Sequence, residues 1–124
     1  MTTTVLLVED EEMLRVLLSE ALSLIDLEVV ICRNADEAMV RLEQPHSFAL
    51  LITDICMPGR LDGVQLAEQV WARWPHLPVI ISSGNRVIRN DKLPANASFL
   101  RKPWTLDHFH QIVLHHLPPD DALG

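Results

Sequence analysis

An unbroken apolar and β-branched run, Leu50-Leu51-Ile52-Thr53, ends in one carboxylate, Asp54, before Pro58 and Gly59 break the pattern. Alternation of apolar and polar residues would mark a strand with one wet face. A continuous run bounded by turn residues marks a strand buried on both faces. Such strands belong to parallel sheets covered by helices. In open sheets of that kind ligands bind just beyond the carboxyl ends of the strands. Asp54 stands at that edge, so it reads as a reactive carboxylate that the remaining elements serve.

The rest of the chain repeats the theme. Residues 5–8 form a first strand, followed at once by Glu9-Asp10-Glu11-Glu12. Leu14, Leu17, Leu18, Ala21, Leu22 and Ile25 recur at helical spacing, which predicts an amphipathic helix over about residues 11–25. Its acidic first turn suits the positive end of the helix dipole. Residues 28–32 are a second strand. Asn34 caps the next helix with Glu37 three residues on, and Ala35, Ala38, Met39 and Leu42 face inward. The Asp54 strand, residues 48–53, comes third. Asp62 opens a third helix with an inner stripe of Leu66, Ala67, Val70 and Trp74, stopped by Pro75.

Residues 79–82 are a fourth strand, ended by Ser83-Gly84, and residues 85–96 are the least regular stretch, with Pro94 cutting any helix short. Residues 97–101 are a fifth strand. Thr105 caps a last helix that runs to about Leu117, with Trp104 and Phe109 placed as a hydrophobic staple. Strand and helix thus alternate through an α/β, doubly wound, five-stranded parallel sheet with a shortened or irregular fourth helix. One domain is expected over residues 1–119, with 120–124 a frayed tail.

Composition removes several function classes. Net charge is −7, from 17 acids against 10 bases, so nucleic-acid binding is not expected. No apolar run approaches the ~18 residues of a membrane span. The N-terminus lacks the basic-then-apolar layout of a signal peptide, and the expected location is cytoplasmic. Cys32 and Cys56 sit at unrelated points and make no disulfide framework. The first strand is not followed by G-x-G-x-x-G, which weighs against a dinucleotide enzyme. His108, His110, His115 and His116 include no pair four apart, so they read as a solvated face rather than a metal cluster.

In a parallel sheet the strand ends bring Glu9, Asp10, Asp54, Ser83 and Lys102 to one edge. Converging carboxylates repel: one pair at about 4 Å costs roughly 1 kcal/mol in water and about 4 kcal/mol at an effective dielectric of about 20. Such a cluster calls for a cation, and oxygen-only ligands with open positions suit Mg²⁺. The charges of the three acids are then balanced by Lys102 and the ion. A phosphoryl group delivered there meets a metal, an ammonium and a hydroxyl, with Asp54 as carboxylate nucleophile.

Val-Leu-Leu-Val-Glu9-Asp10-Glu, Asp54-Ile-Cys-Met-Pro58 with Asp62-Gly63, Leu77-Pro-Val-Ile-Ile-Ser-Ser83-Gly and Phe99-Leu-Arg-Lys102-Pro103 together resemble a response-regulator receiver domain of two-component signalling, chemotaxis-regulator-like. The resemblance covers residues 4–117 and implies a flavodoxin-like (βα)5 fold. It implies that Asp54 is the phosphoacceptor for a sensor histidine kinase or histidine phosphotransfer protein. It implies that Glu9, Asp10, Asp54 and the backbone carbonyl of Cys56 hold Mg²⁺, with Mn²⁺ the alternative ion. Lys102 would bind the phosphoryl oxygen, through a chain whose bond to Pro103 is typically cis in the family. Ser83 and Phe99 fall at the switch positions, and Cys56 and Asn85 at two variable positions that tune hydrolysis.

The domain would then be no enzyme beyond metal-dependent self-phosphorylation from small phosphodonors and slow self-dephosphorylation. A phosphorylation-dependent homodimer is a further implication. The loop over residues 57–63 is one residue longer than the commonest family form, and the short stretch between Ser83 and Lys102 puts the usual dimer mode in question.

Taken singly, each signal has a plainer explanation. Glu9-Asp10 could cap a helix, Ser83 could serve a turn, Lys102 could be a solvated lysine, and Phe99 a core aromatic. Only the joint pattern overturns these. The competing functions are a receiver-like binding module that acts without phosphorylation, and a receiver fragment of a hybrid histidine kinase. A phosphatase using Asp54 as a transient nucleophile would need a second acid two residues on, where Cys56 stands.

Overall fold

The computed structural model describes residues 3–55, 63–84 and 93–117. Strand β1 (Thr3–Val8) leads to α1 (Glu12–Ser23), β2 (Leu27–Cys32), α2 (Ala35–Glu43) and β3 (Phe48–Asp54). Helix α3 (Gly63–Arg73), β4 (Val79–Ser83), β5 (Ala97–Arg101) and α4 (Leu106–His116) complete the described elements. All strand pairs are parallel, in the order β2-β1-β3-β4-β5. The chain therefore winds one way from β1 to β2 and the other way from β3 onward. The reversal leaves a crevice at the carboxyl ends of β1 and β3.

The two-residue period of the strands divides the core into two layers. Leu6, Val8, Leu51, Val79 and Ile81 pack under α2 and α3 with Ala38, Leu42, Leu66 and Val70. Val5, Leu7, Leu50, Ile52, Ile80 and Leu100 pack under α1 and α4 with Leu18, Leu22, Phe109 and Val113. Leu50 and Leu51 are both fully buried although they point to opposite faces, which is why the sequence there shows no alternation.

Local signals behave as their chemistry predicts. The Asn34 side chain accepts the Glu37 N–H at 2.8 Å, and the Thr105 hydroxyl accepts the His108 N–H at 3.1 Å. Trp104 stacks on Phe109 with ring centroids 4.7 Å apart, closing the staple around the α4 cap. The expected irregular fourth helix, the Asp62 cap and the frayed tail fall largely outside the described residues. No helix among the described residues is long and apolar enough to cross a membrane.

Candidate functional site

Strand β1 ends in Val8, and the next residue is pinned where the sheet stops. The Glu9 N–H donates to the Cys32 carbonyl at 3.0 Å, which carries the β1–β2 ladder one residue further. The same alternation that puts Leu7 and Ile52 under α1 puts Glu9 and Asp54 on that face. Register pairs Asp54 with Ser82, and Leu100 lies opposite Ser82, so Lys102 follows two residues later on the same side. Four side chains from distant parts of the chain thus share one face of one sheet edge.

Their separations are short. The Lys102 ammonium lies 3.2 Å from Asp54 Oδ2 and 3.7 Å from Glu9 Oε1. One ligand oxygen each from Glu9, Asp10 and Asp54 lies within 4.8 Å of the others. Glu9 is 2% exposed and the Asp54 side chain 12%, so water screens neither well. Three convergent carboxylates with a single ammonium leave an excess of negative charge. Hard oxygen donors, no nitrogen or sulfur, and one ligand at the surface fit a small divalent ion such as Mg²⁺. The Lys102–Pro103 peptide bond is cis, as the family resemblance leads one to expect.

Burial pushes the Glu9 carboxyl up to about 7. The Glu11 N–H, which Glu9 Oε2 accepts at 3.2 Å, and the Lys102 ammonium pull it down; the Asp54 charge pushes it up again. The native state holds this proton more tightly than the unfolded chain does. In the metal-free protein stability is therefore present at and below about pH 4.5 and is lost as pH rises through about 7. At about 1.4 kcal/mol per tenfold change in proton affinity, the total is on the order of 3 kcal/mol. Urea midpoints should fall from pH 5 to pH 7.5 in the native chain, and Glu9→Gln should flatten that slope. Equal slopes in the two proteins would remove Glu9 as its source.

Three features of the site were not read from the sequence. Arg15, on the first turns of α1, donates through Nη1 to the carbonyls of Glu9 at 3.1 Å and Asp10 at 2.8 Å. It clamps the acidic turn and brings a second positive charge to it. Ser82 lines the same face as Asp54, and its buried hydroxyl has no hydrogen-bond partner among the described residues. The Gly63 N–H donates to the Ile55 carbonyl at 2.9 Å, joining the start of α3 to the backbone just past Asp54.

Ser83 ends β4 fully enclosed, and alternation assigns it to the α2/α3 face, the face of the half-buried Phe99, which lies opposite Ile81 two residues back. Cys56 and Asn85 lie outside the described residues, as does most of the loop over residues 57–63. The histidines divide. His108 and His115 are exposed, as expected of a solvated face. His110 and His116 are half-buried and bonded, to the Ala21 carbonyl at 2.7 Å and the Ser98 hydroxyl at 2.6 Å. They tie α4 to α1 and to β5 rather than facing water.

The family model of the response regulator receiver domain matches residues 5–114. The response regulator protein FleR of Pseudomonas aeruginosa is 36% identical over 94% of the chain, which spans 25% of that protein. The chain is 31% identical to the transcription factor SKN7 of Chaetomium thermophilum, of which it spans 15%. The response regulator receiver protein CpdR of Brucella abortus is 32% identical over 82% of the chain and 86% of its own length. Among solved structures, the response regulator TrrA of Thermotoga maritima, in complex with Mg²⁺-BeF, is 26% identical with a TM-score of 0.83, covering 94% of this chain and 100% of that one. The receiver domain of the hybrid histidine kinase CckA is 28% identical with a TM-score of 0.76, covering 93% and 99%.

Proposed function

The chain belongs to the response regulator receiver family, and from that premise we propose that Asp54 accepts a phosphoryl group, with Mg²⁺ bound beside it, and thereby switches the domain's output surface. The donor is a histidine kinase or a histidine phosphotransfer protein. The observation that carries the reading is the Lys102 ammonium, brought by β5, 3.2 Å from Asp54 and inside a group of three acids gathered from the ends of β1 and β3. A structural ion pair would need one acid; here two more crowd it, at an electrostatic cost that a bound cation offsets with all three ionised.

Glu9, Asp10 and Asp54 would hold the ion, as TrrA's Mg²⁺-BeF supports for a receiver of this fold. When bound, it supplies positive charge to the phosphoryl oxygens. The remaining work belongs to the chain. Burial on the sheet edge holds Asp54 with one oxygen against Lys102 and the other available to attack. The carboxylate oxygen forms the new bond to phosphorus while the bond to the donor breaks, and the donor leaves with that electron pair. Lys102 loses an ion pair with the carboxylate as it gains one with a phosphoryl oxygen. The enclosed Ser83 hydroxyl and Phe99, on the opposite face of β4 and β5, are the groups that respond. Glu9 stays just past the end of β1, fixed by the Glu11 N–H.

The reading is tested by incubating the protein with acetyl phosphate, with Mg²⁺ and with EDTA, and measuring intact mass. One phosphate gained only with Mg²⁺, on the peptide that contains Asp54, is the expected result. No gain by a folded protein, or a gain elsewhere, would sink it. Lys102→Met should slow phosphate uptake by about 100-fold, the usual cost of losing one preorganised charge at a reacting oxygen. It should also tighten Mg²⁺ binding in a calorimetric titration, since a positive charge leaves the site. A rate within about threefold of native would remove Lys102 from the chemistry.

A further inference from the structure

On the face of the sheet that carries Asp54, α1 and α4 stand far enough apart to leave a cavity of about 260 Å³. Its floor is Leu7, Ile52 and Leu100, and its walls are Leu18 from α1 with Trp104 and Phe109 from the α4 side. Glu9, Asp54 and Lys102 form its polar end. An apolar cavity of about 150 Å³ already accommodates benzene in a protein core. This one has room for a fused two-ring aromatic.

One group makes it more than an apolar gap. Ser82 lines the cavity, is 8% exposed, and its Oγ is buried with no hydrogen-bond partner among the described residues. Buried hydroxyls are normally paired, because leaving one unpaired is costly. Its register partner is Asp54, so Ser82 sits at the polar end, where apolar wall meets charge. Two carboxylates and one ammonium there disfavour an anion, and the apolar floor and walls disfavour any charged ring, which leaves a neutral guest with a donor. We propose that this cavity is a binding site for a neutral, indole-sized aromatic molecule carrying one N–H group. The ring lies between Leu18 and Phe109, and the N–H donates to Ser82 Oγ once that side chain turns from its enclosed position into the cavity. The guest then lies against Asp54 and Lys102, so a small molecule reaches the phosphoacceptor from beneath.

The probe is indole, titrated into the full chain without Mg²⁺ or phosphodonor and followed by amide NMR. Binding here therefore stands or falls apart from phosphoryl transfer. Shifts at Leu18, Leu100 and Phe109 with a dissociation constant of about 0.1–1 mM are expected. Ser82→Ala loses an unpaired hydroxyl and should fold at least as well as the native chain. It should weaken indole about fivefold or more, whereas 1-methylindole, which has no N–H, should bind both proteins alike. The proposal is overturned by no shifts at about 5 mM indole, by shifts confined to another surface, or by indole binding that Ser82→Ala leaves unchanged.

Discussion

Asp54→Asn should take up no phosphate under conditions that convert the native protein fully. The substitution preserves size and geometry but replaces a carboxylate by an amide, which is too poor a nucleophile to displace the donor. Its effect on stability should be small by comparison. The variant gives up the 3.2 Å contact of a charged pair, yet it also relieves the repulsion between Asp54 and the enclosed Glu9. These oppose each other, and a net change within about 1 kcal/mol is expected. Glu9 should then hold its proton less tightly, because a neighbouring negative charge has gone. Mg²⁺ should bind more weakly, with one of three acids lost. Intact mass, urea unfolding and calorimetry separate these outcomes. A phosphorylated Asp54→Asn protein would place the acceptor elsewhere.

Gly63→Ala should destabilise the fold by about 3 kcal/mol or more and disorganise the site, although helix propensity alone argues the other way. Alanine in a helix is normally preferred to glycine by about 1 kcal/mol. A Cβ at Gly63, however, would lie 2.7 Å from the Asp54 carbonyl carbon and 2.8 Å from Ile55 Cα, with the Asp54 carbonyl oxygen closer still. All three are backbone atoms and cannot rotate away. Either α3 moves off the sheet, breaking the Gly63 N–H bond to Ile55, or the end of β3 moves and takes Asp54 with it. Overpacking a closed site costs 1–3 kcal/mol where side chains can adjust, and more where they cannot. Urea unfolding measures the loss. A variant as stable as native would show that the contact yields easily, and the tight junction would lose its assigned importance.

Much of this was legible without coordinates, for identifiable reasons. Apolar runs in 5–8, 50–53 and 79–82 could only be two-sided strands, and observed boundaries differ from those read in the sequence by a residue or two. Asn34 with Glu37, and Thr105 with Trp104 and Phe109, act over one helical turn, so local spacing was enough. Glu9, Asp10, Asp54 and Lys102 were legible because a parallel sheet gathers its strand ends.

What escaped depends on register or on reach. Which of Ser82 and Ser83 shares a face with Asp54 requires the pairing of β3 with β4, and two adjacent serines look alike in a sequence. Arg15 bonds to carbonyls, which every residue possesses, so nothing marks its targets. Gly63 resembles any turn glycine until the backbone it touches is known. The histidines were read by their spacing on α4 alone, while His110 and His116 find partners on other elements.

Residues 9, 54 and 102 meet only because β1, β3 and β5 belong to one sheet, with β4 between the last two, and no short segment holds two of the three elements. Denatured chains consequently offer no comparable chelating pocket, and whatever occupies the acids draws the folding equilibrium toward the native side by mass action. Magnesium should raise the melting temperature in proportion to the logarithm of its concentration once the acids are saturated. The domain would thus be firmest in the very ionic conditions under which it can receive its signal.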